Sequence, residues 1–320
     1  MKKLWLILAL VLSVVVVLAQ RAFSRGEDPA RPMLKTDVAE ETAIYVPFRV
    51  LPDNMLAVRA KLDSIEGEFL FDNGSPVTIV NSRFFHPNKR NRTTYSHMTD
   101  VSGVPQANND RYLSHELNMQ GLVREGREYV AMDMRRMAQD DGVEVLGLIG
   151  YDFFEGYDVL FSYADSLMVL FQPESTRRFL SEQFEGHSIS EVPIEMKEHL
   201  PCVYGQIGDE KYLLGIDCGS GGNVLSSTHH RQIAQHSRPK RLMEVLGVSR
   251  IPVRAQEVEV NRLDIGTKSY YGMNFLLHSL TSMIATDEGD EVIDGLVGYD
   301  FLSKQPTLIS TTNKVMLMID

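Results

Sequence analysis

Phe69-Leu70-Phe71-Asp72-Asn73-Gly74-Ser75, continuing into Pro76-Val77-Thr78-Ile79-Val80, has an echo in Leu213-Leu214-Gly215-Ile216-Asp217-Cys218-Gly219-Ser220. Each stretch is an apolar run of strand character that ends in an acid, one variable residue and then Gly-Ser. Glycine permits backbone angles that other residues resist. An acid two residues ahead of it is therefore expected at a tight turn, with its carboxylate aimed out of the sheet.

A second pair repeats in the same order. Gly147-Leu148-Ile149-Gly150-Tyr151-Asp152-Phe153-Phe154 matches Gly295-Leu296-Val297-Gly298-Tyr299-Asp300-Phe301-Leu302. Asp72 lies 78 residues before Gly150, and Asp217 lies 81 before Gly298. Weaker echoes fall between: Val101-Ser102-Gly103-Val104 with Val245-Leu246-Gly247-Val248, and Tyr129, Met132, Asp133 and Met134 with Tyr270, Met273, Asn274 and Phe275. The offsets between copies are 145, 144, 141 and 148, which describes one duplicated unit with small loop changes. A period this long means two domains, not a solenoid.

An apolar strand, Asp-x-Gly-Ser, and an apolar-apolar-Gly some eighty residues later resembles the retropepsin-like and pepsin-like aspartic proteases. The resemblance covers about residues 46–320. It implies an all-β fold: two retropepsin-like β-barrel lobes in one chain, a pepsin-like pseudo-dimer in which each lobe gives one aspartate. Asp72 and Asp217 would be the catalytic pair. Asn73, Gly74, Ser75, Cys218, Gly219 and Ser220 would shape the two loops, with Gly150 and Gly298 supporting them. In the family a hairpin flap closes over the substrate, and Gly103 and Gly247 occupy that position; an ordinary hairpin turn is the other reading. The family's Asp or Asn after the downstream glycine is structural, so Asp152 and Asp300 are expected to cap the short helices that follow. One departure stands out. The family carries Thr or Ser after each catalytic Asp, and those hydroxyls bond across the lobe interface; this chain has Asn73 and Cys218. An amide can donate and accept, whereas a thiol is weak at both.

The rest of the chain fits around this frame. Its 320 residues suggest two domains, and 43% hydrophobic with 23% charged residues is ordinary globular composition. Lys2 and Lys3 precede an apolar run interrupted only by Ser13 and ending Val17-Leu18-Ala19, the plan of a cleaved export signal over 1–19. The run is short for a spanning helix, and an uncleaved N-terminal membrane anchor is the minority alternative. Export places the mature protein in a periplasmic or extracellular setting. Loss of two lysines and no acids would take the net charge from -11 to -13, which argues against nucleic acid or anionic membrane as partner. Residues 20–43 are polar with Pro29 and Pro32, a flexible leader. The lobes are expected at 44–172 and 191–320, joined by a linker at 173–190 that includes a short helix. Further short helices are expected at Ser82–Phe85 and Ser227–His236. In each lobe the acid ends the return arm of a hairpin, with turns at Glu66-Gly67 and Gly208-Asp209-Glu210. The hairpins after each Gly-Tyr-Asp-Phe, Asp158–Tyr163 with Leu167–Phe171 and Thr307–Ser310 with Val315–Ile319, read as closing each lobe.

Two carboxylates a few Å apart hold one proton between them. One then activates a water and the other donates to the scissile carbonyl, so peptide hydrolysis needs neither metal nor cofactor. Which acid plays which part belongs to the coupled pair. The expected substrate is an extended peptide or unfolded protein, and the expected state is a monomer. The alternative is a non-catalytic peptide binder of the same fold, its chemistry lost through Asn73 and Cys218. The nine histidines show no zinc-ligand spacing, and there is no Gly-x-Ser-x-Gly elbow, phosphate loop or dinucleotide fingerprint. Cys202 and Cys218 lie on two arms of one hairpin; free buried thiols are favoured over a strained cross-strand bridge.

Overall fold

The structure is a computed structural model and describes residues 11–12, 34, 43–90, 97–100, 105–107, 110–134, 144–246, 252–280 and 292–320. Gly103, Gly247 and nearly all of the expected signal and leader lie outside these residues. Among the described residues no helix is long and apolar enough to cross a membrane.

The fold is all-β, built from two like lobes. In the first, Ile65–Phe71 runs antiparallel to Leu56–Leu62 and parallel to Val145–Ile149. Val145–Ile149 also lies antiparallel to Ile79–Asn81, which pairs in parallel with Glu128–Met132. The second lobe repeats every step. Glu210–Ile216 pairs with Leu200–Ile207 and, in parallel, with Gly295–Val297. Gly295–Val297 is antiparallel to Asn223–Ser226, which is parallel to Lys268–His278. The strands that end at the two acids are thus flanked on both edges. Their inner residues, Phe69 to Phe71 and Tyr212 to Ile216, are buried. A strand covered on both faces has no use for alternation, which is why both motifs read as unbroken apolar runs.

Two sequence expectations shift in register. The first hairpin turns at Asp63 and Ser64, between the paired residues Leu62 and Ile65, and not at Glu66-Gly67. Asp63 takes the left-handed conformation there, with φ 53°, as Gly208 does at 63° in the second lobe. Gly67 lies within the strand. The echo of Tyr129 is also displaced. Val130 pairs with Ile79, and Leu276 pairs with Val224, so Tyr129 corresponds to Phe275 and not to Tyr270. The false match rested on residue types alone: it slides the strand by five residues, and an odd slip turns every side chain to the opposite face.

The hairpins after each Gly-Tyr-Asp-Phe do not close the lobes separately. Asp158–Ser162 pairs with Thr307–Ser310 of the other lobe. With Leu167–Phe171, Ala43–Val50, Val315–Ile319 and Ile189–Pro193 they make one six-strand antiparallel run in the order Ile189–Pro193, Val315–Ile319, Thr307–Ser310, Asp158–Ser162, Leu167–Phe171, Ala43–Val50. The helix Thr176–Gln183, inside the expected linker, packs one face of this platform through Phe179 and Leu180, with Phe179 stacked on Phe171 at 4.6 Å. The other face, with Val159, Phe161, Ile309 and Met316, joins a core shared by both lobes. Residues 227–236 form a 3-10 turn and the helix His230–Ile233, while Ser82–Phe85 makes turns only.

Candidate active site

Asp72 and Asp217 sit just past the ends of their strands, each fully buried. Their backbone N–H groups donate to Ile149 and Val297, so each acid is fixed by the parallel strand beside it. Asp72 Oδ1 accepts from Gly74 N at 2.8 Å and Ser75 N at 3.2 Å; Asp217 Oδ1 accepts from Gly219 N at 2.8 Å.

The two loops meet head to head. A methyl group added at Gly74 would lie 2.6 Å from Asp217 Oδ1, and one at Gly219 only 2.1 Å from Asp72 Oδ1. Each glycine therefore lies against the opposite lobe's carboxyl. Neither glycine has a left-handed φ. Glycine is required here not for backbone freedom, as the sequence suggests, but because any side chain would occupy the partner carboxyl's space.

Asn73 and Cys218 bind the loops together. Cys218 N donates to Asn73 Oδ1 at 2.6 Å, and Asn73 N donates to Cys218 Sγ at 3.4 Å. Asn73 Nδ2 donates to Ile216 O at 2.7 Å, and Cys218 Sγ donates to Phe71 O at 3.7 Å. The exchange is reciprocal, each residue serving the other loop as donor and acceptor. Cys202 stands opposite Gly215, not Cys218, and both cysteines are buried free thiols. Burial, then the nearby Asp72 charge, holds the Cys218 thiol well above its ordinary range.

Ser75 and Ser220 donate their hydroxyl protons to Val77 O and Gly222 O, which tightens each loop on itself. Gly150 and Gly298 sit directly beneath, and Tyr151 N and Tyr299 N donate to Ser75 O and Ser220 O. Asp152 does not cap its helix, whose N-cap is Gly150 with no side-chain cap. Its carboxyl instead accepts from Thr78 Oγ1 at 2.7 Å.

Several residues escaped the sequence reading. Thr78 and Asn223 each stand six residues after an acid, and they accept from Gly150 N at 3.2 Å and Gly298 N at 3.0 Å. A polar residue directly ahead of an apolar pair, Thr78 before Ile79-Val80 and Asn223 before Val224-Leu225, at the same place in both copies, is the signal the sequence offers. Asn54 and His199 each stand eighteen residues before an acid. Asn54 Nδ2 donates to Gly221 O and His199 Nε2 to Gly74 O, both at 2.8 Å, so each lobe reaches into the other's loop. Tyr163 and Tyr299 meet edge to face across the lobe boundary at 5.4 Å.

Burial is the largest influence on Asp72 and raises its carboxyl well above the ordinary value; the Asp217 charge adds to it, and the Gly74 N–H works against it. Asp72 Oδ2 is buried and makes no hydrogen bond to the loop's donors. A pair of buried carboxyls with one oxygen outside the loop's network can exchange a proton with a bound molecule. Beside the second loop, a cavity of about 220 Å³ is walled by Leu51 and Pro52 from the first lobe and by Gly222, Met243 and Phe275 from the second.

No protein-family model matches the chain, and no curated protein matches it in sequence. Among solved structures it is similar to the aspartic proteinase from Irpex lacteus, with 14% identity, 86% of this chain and 96% of that chain covered, and a TM-score of 0.49.

Proposed function

We propose that the chain is an aspartic-type endopeptidase that hydrolyses peptide bonds with the Asp72/Asp217 pair and an activated water. One observation carries this reading: Gly74 abuts the Asp217 carboxyl and Gly219 abuts that of Asp72. Two acids 145 residues apart share one buried spot that only the contact of two lobes creates. The pair keeps one proton, because two buried adjacent charges repel and neither is solvated. The ionised member takes a proton from water as oxygen attacks the scissile carbonyl. The protonated member donates to the carbonyl oxygen as it gains charge. As the C–N bond breaks, the leaving amine takes a proton from the pair and the tetrahedral diol returns one of its hydroxyl protons to the pair while the carboxyl product forms, which restores the starting state.

The substrate is an extended peptide or unfolded stretch lying in the cleft between the lobes. The basic-then-apolar N-terminus supports a further reading, that the protein is exported and works outside the cytoplasm; one chain supplying both acids supports its working as a monomer. A non-catalytic binder drew its support from Asn73 and Cys218. Those residues bond the two loops to each other across the lobe boundary, and that supports the enzyme reading.

The test follows cleavage of a denatured protein from acid to neutral pH by wild type, Asp72→Asn and Asp217→Asn, with folding checked by circular dichroism. Turnover by wild type that either substitution abolishes is the expected result. Peptide binding without turnover at any pH would replace the enzyme with the binder.

A further inference from the structure

His199 lies in the turn between Glu195–Lys197 and Leu200–Ile207, and its Nε2 stands 2.8 Å from the Gly74 carbonyl oxygen. A carbonyl only accepts, so Nε2 carries the hydrogen and Nδ1 is bare. Nδ1 is buried and has no hydrogen-bond partner. The ring lies 6.1 Å from that of Tyr151, at the start of the helix that follows Gly150. Gly74 in turn donates to Asp72 Oδ1 and abuts the Asp217 carboxyl. One imidazole from the second lobe thus grips the first lobe's loop at the residue that touches both acids.

We propose that His199 is a positioning residue that latches the Asp72 loop in its neutral Nε2–H form and releases it when protonated. A proton on Nδ1 would place a cation and an unpaired donor in a buried site, which is costly. The ionisable groups around it are Lys197 at the end of the strand before it, Glu198 on its own turn, Tyr151 on the facing helix, and the Asp72/Asp217 pair behind Gly74. Lys197 leans toward Glu195, its Nζ 3.9 Å from Oε2. Burial pushes the imidazole below its ordinary value of 6.5, and the Gly74 carbonyl partly opposes this. The sign follows. A latched imidazole resists protonation more than a released one, so the latch is fully engaged above about pH 6.5 and weakens as pH falls through the lowered value.

The kinetic arm of the test rests on the peptidase reading; the spectroscopic arm does not. His199→Ala should lower kcat about tenfold at neutral pH, the worth of one lost positioning hydrogen bond, with KM little changed. His199→Gln, whose amide can donate to Gly74 O, should recover most of that loss. It should also lack the fall in kcat that wild type shows on the acid side below pH 6.5. Nitrogen NMR of the imidazole should report the Nε2–H tautomer, with the Gly74 amide signal following the His199 titration. A His199→Ala protein with the kcat and pH profile of wild type would overturn the proposal. So would an Nδ1–H tautomer, or a Gly74 amide indifferent to the titration, even in a chain that cleaves nothing.

Discussion

Leu160 lies directly opposite Leu308 at the centre of the interlobe sheet. The two are 148 residues apart, the spacing that also separates Gly150 from Gly298. Each is therefore the other's counterpart, and the pseudo-twofold axis of the molecule passes between them. Below, both leucines pack against the helix that carries Phe179 and Leu180. Above, their neighbours Val159, Phe161 and Ile309 support Phe71 and Ile216, the residues that precede the two acids. The sheet is the platform that sets the distance between the carboxyls.

Leu160→Ala and Leu308→Ala should each destabilise the protein by about 2–5 kcal/mol, the usual range for a buried leucine. The two residues are in contact, so the double variant should lose less than the sum. Denaturant titrations of the four proteins measure this. Strict additivity would show that the pair does not share one packing site.

Gly219→Ala places a methyl on the fully buried Asp72 carboxyl, which has no room to swing away. The expected cost is about 1–3 kcal/mol of stability, with peptide hydrolysis reduced to background. Thermal melts and initial rates decide it, and a variant of undiminished rate would mean that the two loops do not approach as described.

Cys218→Ser should hold the loops at least as well as the thiol, because a hydroxyl donates to Phe71 O and accepts from Asn73 N more strongly. Cys218→Ala leaves those two buried groups unpaired and should cost about 1–3 kcal/mol. The native thiol should resist alkylation until the chain unfolds, since it is buried and held in its neutral form. Rapid labelling of the folded protein at Cys218 would contradict this.

Asp72→Asn should stabilise the protein at neutral pH while removing turnover. Burial and the Asp217 charge raise the Asp72 carboxyl above 3.8, so the folded chain retains a proton that the unfolded chain releases. Stability from such a group is complete below about pH 3.8 and is lost as pH rises through the folded value. The asparagine escapes that loss. Urea midpoints at pH 7 and below pH 3.8 should show a gap that closes in acid, and a wild type more stable than the variant at pH 7 would refute it.

The sequence by itself determined the duplication, the strand that leads to each acid, and the pairing of Asp72 with Gly150 and Asp217 with Gly298. These are local or repeated patterns: buried strands must be apolar along their length, and the same backbone corner demands the same residue wherever it recurs. Tertiary structure alone decided the rest. Gly74 is required by Asp217 and Gly219 by Asp72, a constraint that acts across 143 and 147 residues. Asn73 and Cys218 read as poor replacements for hydroxyls until their partners are known, because a donor's worth depends on the acceptor that the other lobe brings to it. The same holds for Asn54 and His199, unremarkable within their own turns, whose carbonyl partners exist only once the two lobes have closed on each other.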